Sequence, residues 1–310
     1  MFKKIKNFII KKSAQLNRVD ELYLLQRNDL KSPKVNLGQI QAHLNSKREN
    51  ISSLQDVEFQ VFSQWGDDGI IQYLIGKIDL KNKTFIEFGV ENYRESNTRF
   101  LLINNNWSGL VIDGSKGNID HIKYDMISWA YDLHATHAFI TKDNINSLIS
   151  SFLQEGYDKE IGILSIDIDG NDYWVWEQIE VVNPAIVIVE YNALFGKEKM
   201  WSIPYKEDFY RLDAHKSYQY WGASLKAFCE LADKKGYYFI GCNGNGNNAY
   251  FVRKDKIGNL KPVTCEEGFV ESKFREYIND KGERVGGWKR LDLIKGMSIY
   301  NFETNNIETI

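Results

Sequence analysis

The chain has 310 residues, with 42 acidic side chains against 39 lysines and arginines and a net charge of −3. Hydrophobic residues make up 43% and aromatic residues 14%, which excludes a disordered chain and supplies the core of one large domain with extensions, or of two small domains. So small a net charge gives no electrostatic case for nucleic acid as a partner, and no apolar run approaches the roughly 20 residues of a membrane span.

Residues 1–58 are polar, rich in Lys and Asn, and weakly patterned, which predicts an N-terminal helical arm. Its first part, MFKKIKNFIIKKSAQL, has an apolar stretch from Phe8 to Ile10 that is shorter than the roughly 7–15 residues of a secretory core. As a helix it gathers Phe2, Ile5 and Ile9 opposite several lysines. That suits weak contact of residues 1–12 with an anionic membrane surface, or packing on the domain or a partner subunit.

The main domain is predicted over 59–257. DDGIIQYLIGKI sets Ile70, Ile71, Leu74, Ile75 and Ile78 on one helical face, with Asp67 and Asp68 at the positive end of its dipole. TFIEFGV follows as a short buried strand, and ESNTRFLLINNN as a helix that Ser96 or Asn97 can cap. LVIDGS is a second strand and HAFIT a short third one. The stretch 144–153 repeats apolar residues at helical spacing. GILSIDIDG is a strand, NDYWVWEQI a helix and AIVIVEYN another strand. GASLKAFCELADKKGY is a helix stopped at Gly236, and YYFIGC and NAYFVR form a closing antiparallel pair. Strands apolar on both faces, alternating with helices, predict a doubly wound, mostly parallel α/β sheet. Residues 258–310 read as a strand-poor C-terminal extension. The cysteines Cys229, Cys242 and Cys265 are far apart, odd in number and without a CxxC pair, so they predict free thiols in a reducing cytoplasm.

In an open parallel sheet, ligands bind beyond the carboxyl ends of the strands. Four strands here end in carboxylates: Glu87 with Glu91, Asp113, Asp167 with Asp169, and Glu190. Gly89 admits a close approach to the backbone. Asp113, at the end of the next strand, is placed to accept the ribose hydroxyls of an adenosine. The turn reads GVENYRES rather than GxGxxG, and its charged side chains would crowd and repel a diphosphate. An adenosine without phosphates, carrying an amino-acid tail and a sulfonium, fits better, with Glu87 or Glu91 facing its cationic end.

The segments FSQWGDDGIIQYL, FIEFGVENYRESNTRFLL, NWSGLVIDG, LSIDIDGNDYWVW, VEYNALFG, YWGASL and NAYFVR occur in this order over residues 59 to 254. Together they resemble the FkbM-type S-adenosylmethionine-dependent methyltransferases of class I, many of which act in bacterial glycan and natural-product pathways. The resemblance implies the seven-stranded, Rossmann-like methyltransferase sheet. It implies that Glu87, Gly89 and Asn97 line the methionine side of the cofactor and that Asp113 and Gly114 meet the ribose. It further implies that residues from His137 to Phe139 frame the adenine, that Asp167 and Asp169 face the methyl group, and that Gln64 and Trp65 close over the cofactor. The family's glycine-rich first motif is thinned here to Gly89.

Methyl transfer needs an acceptor held at roughly 3–3.5 Å from the methyl and, for a hydroxyl, removal of its proton. Asp169 or Glu190 can act as that base, with His215 as a further candidate. Asp169, Glu190 and Asn192 alternatively offer hard oxygen ligands to Mg²⁺. The aromatic stretch from Met200 to Gly222 is long for a connection, which suits a binding loop over a saccharide or small-molecule acceptor, or a contact in a homo-oligomer. The expected function is O-methylation of a hydroxyl on a bacterial glycan, nucleotide sugar or related small molecule. The alternatives are a non-catalytic binding protein on the same fold and an NAD-dependent oxidoreductase, the latter disfavoured by the missing phosphate turn.

Overall fold

The computed structural model describes residues 32–272, 277–279 and 281–310, so the segment 1–12 lies outside the described residues. Its centre is a seven-stranded sheet built from β1 (Thr84–Phe88), β2 (Ser108–Asp113), β3 (Leu133–His137), β4 (Ile163–Ile166), β5 (Ile186–Glu190), β7 (Tyr237–Cys242) and β8 (Asn248–Arg253). The order is β3-β2-β1-β4-β5-β8-β7. The first five strands run parallel, while β8 is antiparallel to both β5 and β7. This is the Rossmann-like methyltransferase sheet. The order in which strands are added reverses between β1 and β4, and that switch point is where an open sheet forms its ligand crevice.

The central strands β1, β4 and β5 are buried along their whole length. Alternate residues serve opposite faces. Ile86 and Phe88 join a core with Phe152, Trp176 and Phe228, from helices α6 (Ile145–Leu153), α7 (Asp172–Gln178) and α9 (Leu225–Lys234). Phe85 points to the other face, with Leu74, Leu102, Ile119 and Ile127 from α2 (Asp67–Lys77), α3 (Arg99–Asn105), α4 (Lys116–Tyr124) and α5 (Met126–Ala130). Leu54 and Val57, in the stretch the sequence assigns to the arm, are buried in this second core. Before them, α1 (Pro33–Ser46) packs on α2. Among the described residues no helix is long and apolar enough to cross a membrane.

Two expectations need correction. The third strand is LHATH rather than HAFIT. As the edge of the sheet it is only half-buried, so it lacks the apolar run that marks its neighbours. The C-terminal extension is not strand-poor. It holds a hairpin of β9 (Tyr277–Ile278) and β10 (Arg284–Val285) and another of β11 (Ser298–Asn301) and β12 (Asn306–Thr309). β11 also pairs with β6 (Trp201–Ser202), making a three-stranded sheet β12-β11-β6. Ile294 and Ile299 pack there against Phe195, Ile203 and Tyr220. Strands of two to four residues are too short to show a period in sequence.

Candidate active site

A cavity of about 640 Å³ opens beyond the carboxyl ends of β1, β2 and β4. Its floor is set by Gly89, whose N–H donates to the Ile112 carbonyl at 2.9 Å and whose φ is +70°. A β carbon at Gly89 would collide with the Asp167 carbonyl oxygen. Gly89 lines the cavity, and it is required as glycine for a second reason as well: the β4 tip crosses directly beside it.

Asp113 closes β2 and is buried. Its Oδ2 accepts the Glu91 N–H at 2.8 Å, and its Oδ1 accepts the Ser115 N–H at 2.8 Å and Asn118 Nδ2 at 3.0 Å. The turn after β1 bends around this carboxylate, with Glu91 at φ 47° and Tyr93 at φ 62°, both left-handed. Beside it Gly114 faces the exposed Phe139 ring, and His137 Nε2 donates to the Gly114 carbonyl at 3.1 Å.

Glu87 lines the cavity but is itself buried, and it holds the start of α3. It accepts Ser96 Oγ at 2.6 Å, Asn97 N–H at 2.9 Å, Thr98 N–H at 3.1 Å and the Thr98 hydroxyl. The residues leading into α3 are therefore held by a carboxylate from β1, with Ser96 Oγ also accepting the Thr98 N–H at 3.2 Å. Burial raises the Glu87 carboxyl above its usual value, opposed by these donors. Asn97 turns its amide to Ser165 Oγ at 3.1 Å, which joins α3 to β4 at the cavity wall. Gln64 is exposed at the rim, and its carbonyl accepts Gln60 Nε2 at 2.8 Å. Trp65 is not among the lining residues.

Asp167, Asp169 and Glu190 bring carboxylate oxygens within 4.8 Å of one another. Asn192, expected beside them, is spent elsewhere. Its Oδ1 accepts the Leu194 N–H at 3.1 Å, and its Nδ2 donates to the carbonyls of Gln219 and Trp221 at 3.1 and 3.0 Å. Asp167 stands in its place. Asp169 sits at φ 56° and pairs with Arg211, from the short helix α8 (Arg211–Ala214). The Arg211 side chain is only 7% exposed. Its Nε donates to the Tyr218 carbonyl at 2.9 Å, and its guanidinium lies 4.5 Å from the centre of the Trp221 ring. His215 does not line the cavity. Its Nδ1 lies 2.7 Å from Ser217 Oγ, and burial and the charge of Lys216 lower its pKa.

Several residues take roles in the site that the sequence did not assign them. Asp172 accepts the N–H groups of Ile168 and Gly170, each at 2.8 Å, and so fixes the turn that carries Asp167 and Asp169. Its pKa is raised to about 7, chiefly by burial and further by the nearby Glu190 charge. Phe209, Tyr210, Arg211 and Leu212, from the aromatic stretch, also line the cavity. Asn247 and Asn248 close the far wall, where Asn248 Nδ2 donates at 2.9 Å to the fully buried Asp67. Asn243 Nδ2, at 3.0 Å, and the Tyr250 hydroxyl donate to the same oxygen. Asp67, in the first turn of α2, is thus also a buried anchor for β8 and the loop before it, while Asp68 accepts the N–H groups of Val61, Phe62 and Ser63.

No family model matches the sequence, and no curated protein does. Solved structures do. A protein from Staphylococcus aureus provisionally assigned as a caffeoyl-CoA O-methyltransferase is 11% identical, over 76% of this chain and 99% of its own, at a TM-score of 0.40. The O-methyltransferase from Bacillus cereus in complex with S-adenosylhomocysteine is 10% identical, over 72% and 91%, at 0.37. A methyltransferase dependent on S-adenosylmethionine from Aquifex aeolicus is 11% identical, over 68% and 96%, at 0.34. At this identity and overlap the likeness is one of fold, and the sheet order above states that fold directly.

Proposed function

We propose that the chain transfers the methyl group of S-adenosylmethionine to a hydroxyl of a saccharide or related small molecule, as the resemblance to FkbM-type enzymes implies. The observation that carries this reading is the pairing of Asp113 with the turn after β1. A diphosphate would meet Glu91 where nucleotide-diphosphate folds present bare glycine N–H groups. The same turn donates its Glu91 N–H to Asp113 and holds that carboxylate at the cavity.

The lining fits a nucleoside. A carboxylate accepts about four hydrogen bonds, and the protein donates three to Asp113, which leaves room for a ribose hydroxyl. Phe139 offers an exposed ring beside Gly114 for the base, and Glu91, exposed and also lining the cavity, offers a carboxylate for the cationic tail. S-adenosylmethionine, when bound, supplies an electrophilic methyl group. The chain's own part is to seat the nucleoside, to hold the acceptor beneath Phe209, Tyr210 and Leu212, and to take the hydroxyl proton on Asp169 or Glu190. Asp167, Asp169 and Glu190 also form an oxygen-donor set suited to Mg²⁺, which would position the same hydroxyl.

Calorimetry with S-adenosylmethionine, S-adenosylhomocysteine and NAD tests the proposal. The first two should bind and NAD should not. Binding of NAD alone, or of none of the three, overturns it.

A further inference from the structure

The three cysteines, scattered in sequence, gather behind the cavity. Cys242 closes β7 and is fully buried, with its thiol beside the Tyr191 hydroxyl. Cys229 on α9 and Cys265 at the start of α10 (Cys265–Gly268) are half-buried, and their thiols lie within hydrogen-bonding reach of each other. The two helices are in contact. Two local devices fix the Cys265 backbone there. The Val263 N–H donates to the Phe239 carbonyl on β7 at 3.0 Å, and Thr264 and Glu267 cap each other across the first turn of α10.

We propose that Cys229 and Cys265 form a reversible dithiol–disulfide pair, with Cys265 the attacking thiol and Cys229 the resolving one. The asymmetry follows from their surroundings. Cys265 receives the Cys229 thiol as a hydrogen-bond donor and lies near the positive charges of Lys226 and Lys197, so its thiolate forms more readily than usual. Its own S–H reaches the Lys197 carbonyl at 3.6 Å. Cys229 is pushed the other way, by that same hydrogen bond and by burial.

The oxidant is a small disulfide such as oxidised glutathione. The Cys265 thiolate attacks one sulfur of it, the disulfide bond breaks, and one glutathione thiolate leaves. Cys229 then attacks the Cys265 sulfur of the mixed disulfide and expels the second glutathione. The two cysteine protons end on the two glutathione thiolates. Two protein thiols are oxidised and one small disulfide is reduced.

The bond would lock the segment that covers the back of the cavity. Beyond Cys265, the Val270 carbonyl accepts the Tyr191 hydroxyl at 2.6 Å. A β carbon on Gly246 would sit 2.7 Å from that same carbonyl, so the segment presses on the loop that carries Asn247 and Asn248. None of this depends on the methyltransferase reading.

The test is redox titration of the full reduced chain with mixtures of reduced and oxidised glutathione, quenched with N-ethylmaleimide and mapped without reduction. A peptide linked through Cys229 and Cys265 is expected, with Cys242 left as a thiol. The melting temperature should rise by several degrees and return on adding dithiothreitol. Cys229→Ser should hold glutathione on Cys265, and Cys265→Ser should take none. A wild-type chain that keeps an unresolved glutathione on Cys265, links through Cys242, or oxidises neither residue overturns the proposal, and the wild-type map alone decides it if a variant fails to fold.

Discussion

Gly89 and the carbonyl of Asp167 are packed so closely that no β carbon fits between them. The two residues follow directly on neighbouring strands, and their contact sets the distance between the cavity floor and the carboxylates beside it. Gly89→Ala meets both this collision and a left-handed φ of +70°. The expected loss is on the order of 3 kcal/mol or more, measured by urea unfolding, together with loss of S-adenosylhomocysteine binding. A change within measurement error would mean that the β4 tip yields freely.

Asp113→Ala should weaken S-adenosylhomocysteine at least tenfold, since hydrogen bonds to a charged group contribute about 1.5–3 kcal/mol each. It should also lower thermal stability, because the N–H groups of Glu91 and Ser115 lose their acceptor. Calorimetry at fixed salt checks the first and a melting curve the second. Unchanged affinity would remove the ribose from this carboxylate.

Arg211→Met should leave cofactor affinity within about twofold, because the residue stands on the acceptor side, while lowering turnover at least tenfold by releasing Asp169. Separate measurement of cofactor binding and of methyl transfer distinguishes these. An equal fall in both would instead make Arg211 a prop for the whole pocket.

Stability should fall as the solution turns from mildly acidic to mildly basic. Burial raises Asp68 to about 6 and Asp172 to about 7, from an ordinary value of 3.8. Glu58, Asp67 and Glu87 are raised in the same direction by the same cause. Each of these groups holds its proton more tightly when folded, so the folded chain binds more protons than the unfolded one between their two values. Stability then declines as the pH rises through that window. His215, lowered by burial, acts in the opposite sense below its ordinary 6.5 but is a single group. The melting temperature should be higher at about pH 5.5 than at about pH 8. The reverse order would show that these carboxylates are ionised in the fold without cost.

Fully buried strands announce themselves, so β1, β4 and β5 could be read directly from TFIEF, ILSI and IVIVE. Their carboxyl ends then locate the crevice, which is why Asp113, Asp167 and Asp169 could be named in advance as lining residues. Edge strand β3 could not be read with the same accuracy, because none of its residues is fully buried. Arg211 was invisible for a different reason. It enters the site through its pairing with Asp169, a contact across the fold that spacing along the chain does not reveal. Asn192 had the right strand and the wrong direction: its amide is drawn away to the carbonyls of Gln219 and Trp221. The cysteine pair was hidden by the same non-local folding, since spacing along the chain says nothing of α9 meeting α10.

The small sheet β12-β11-β6 fastens the last residues of the chain to the aromatic stretch above the acceptor side. Under the proposed function, the floor that would seat a nucleoside comes from the first strands, and the ceiling is hung from the tail. Change in the tail can therefore reshape which molecule is modified while the machinery beneath stays as it is, so choice of target and the means of modification are free to diverge independently.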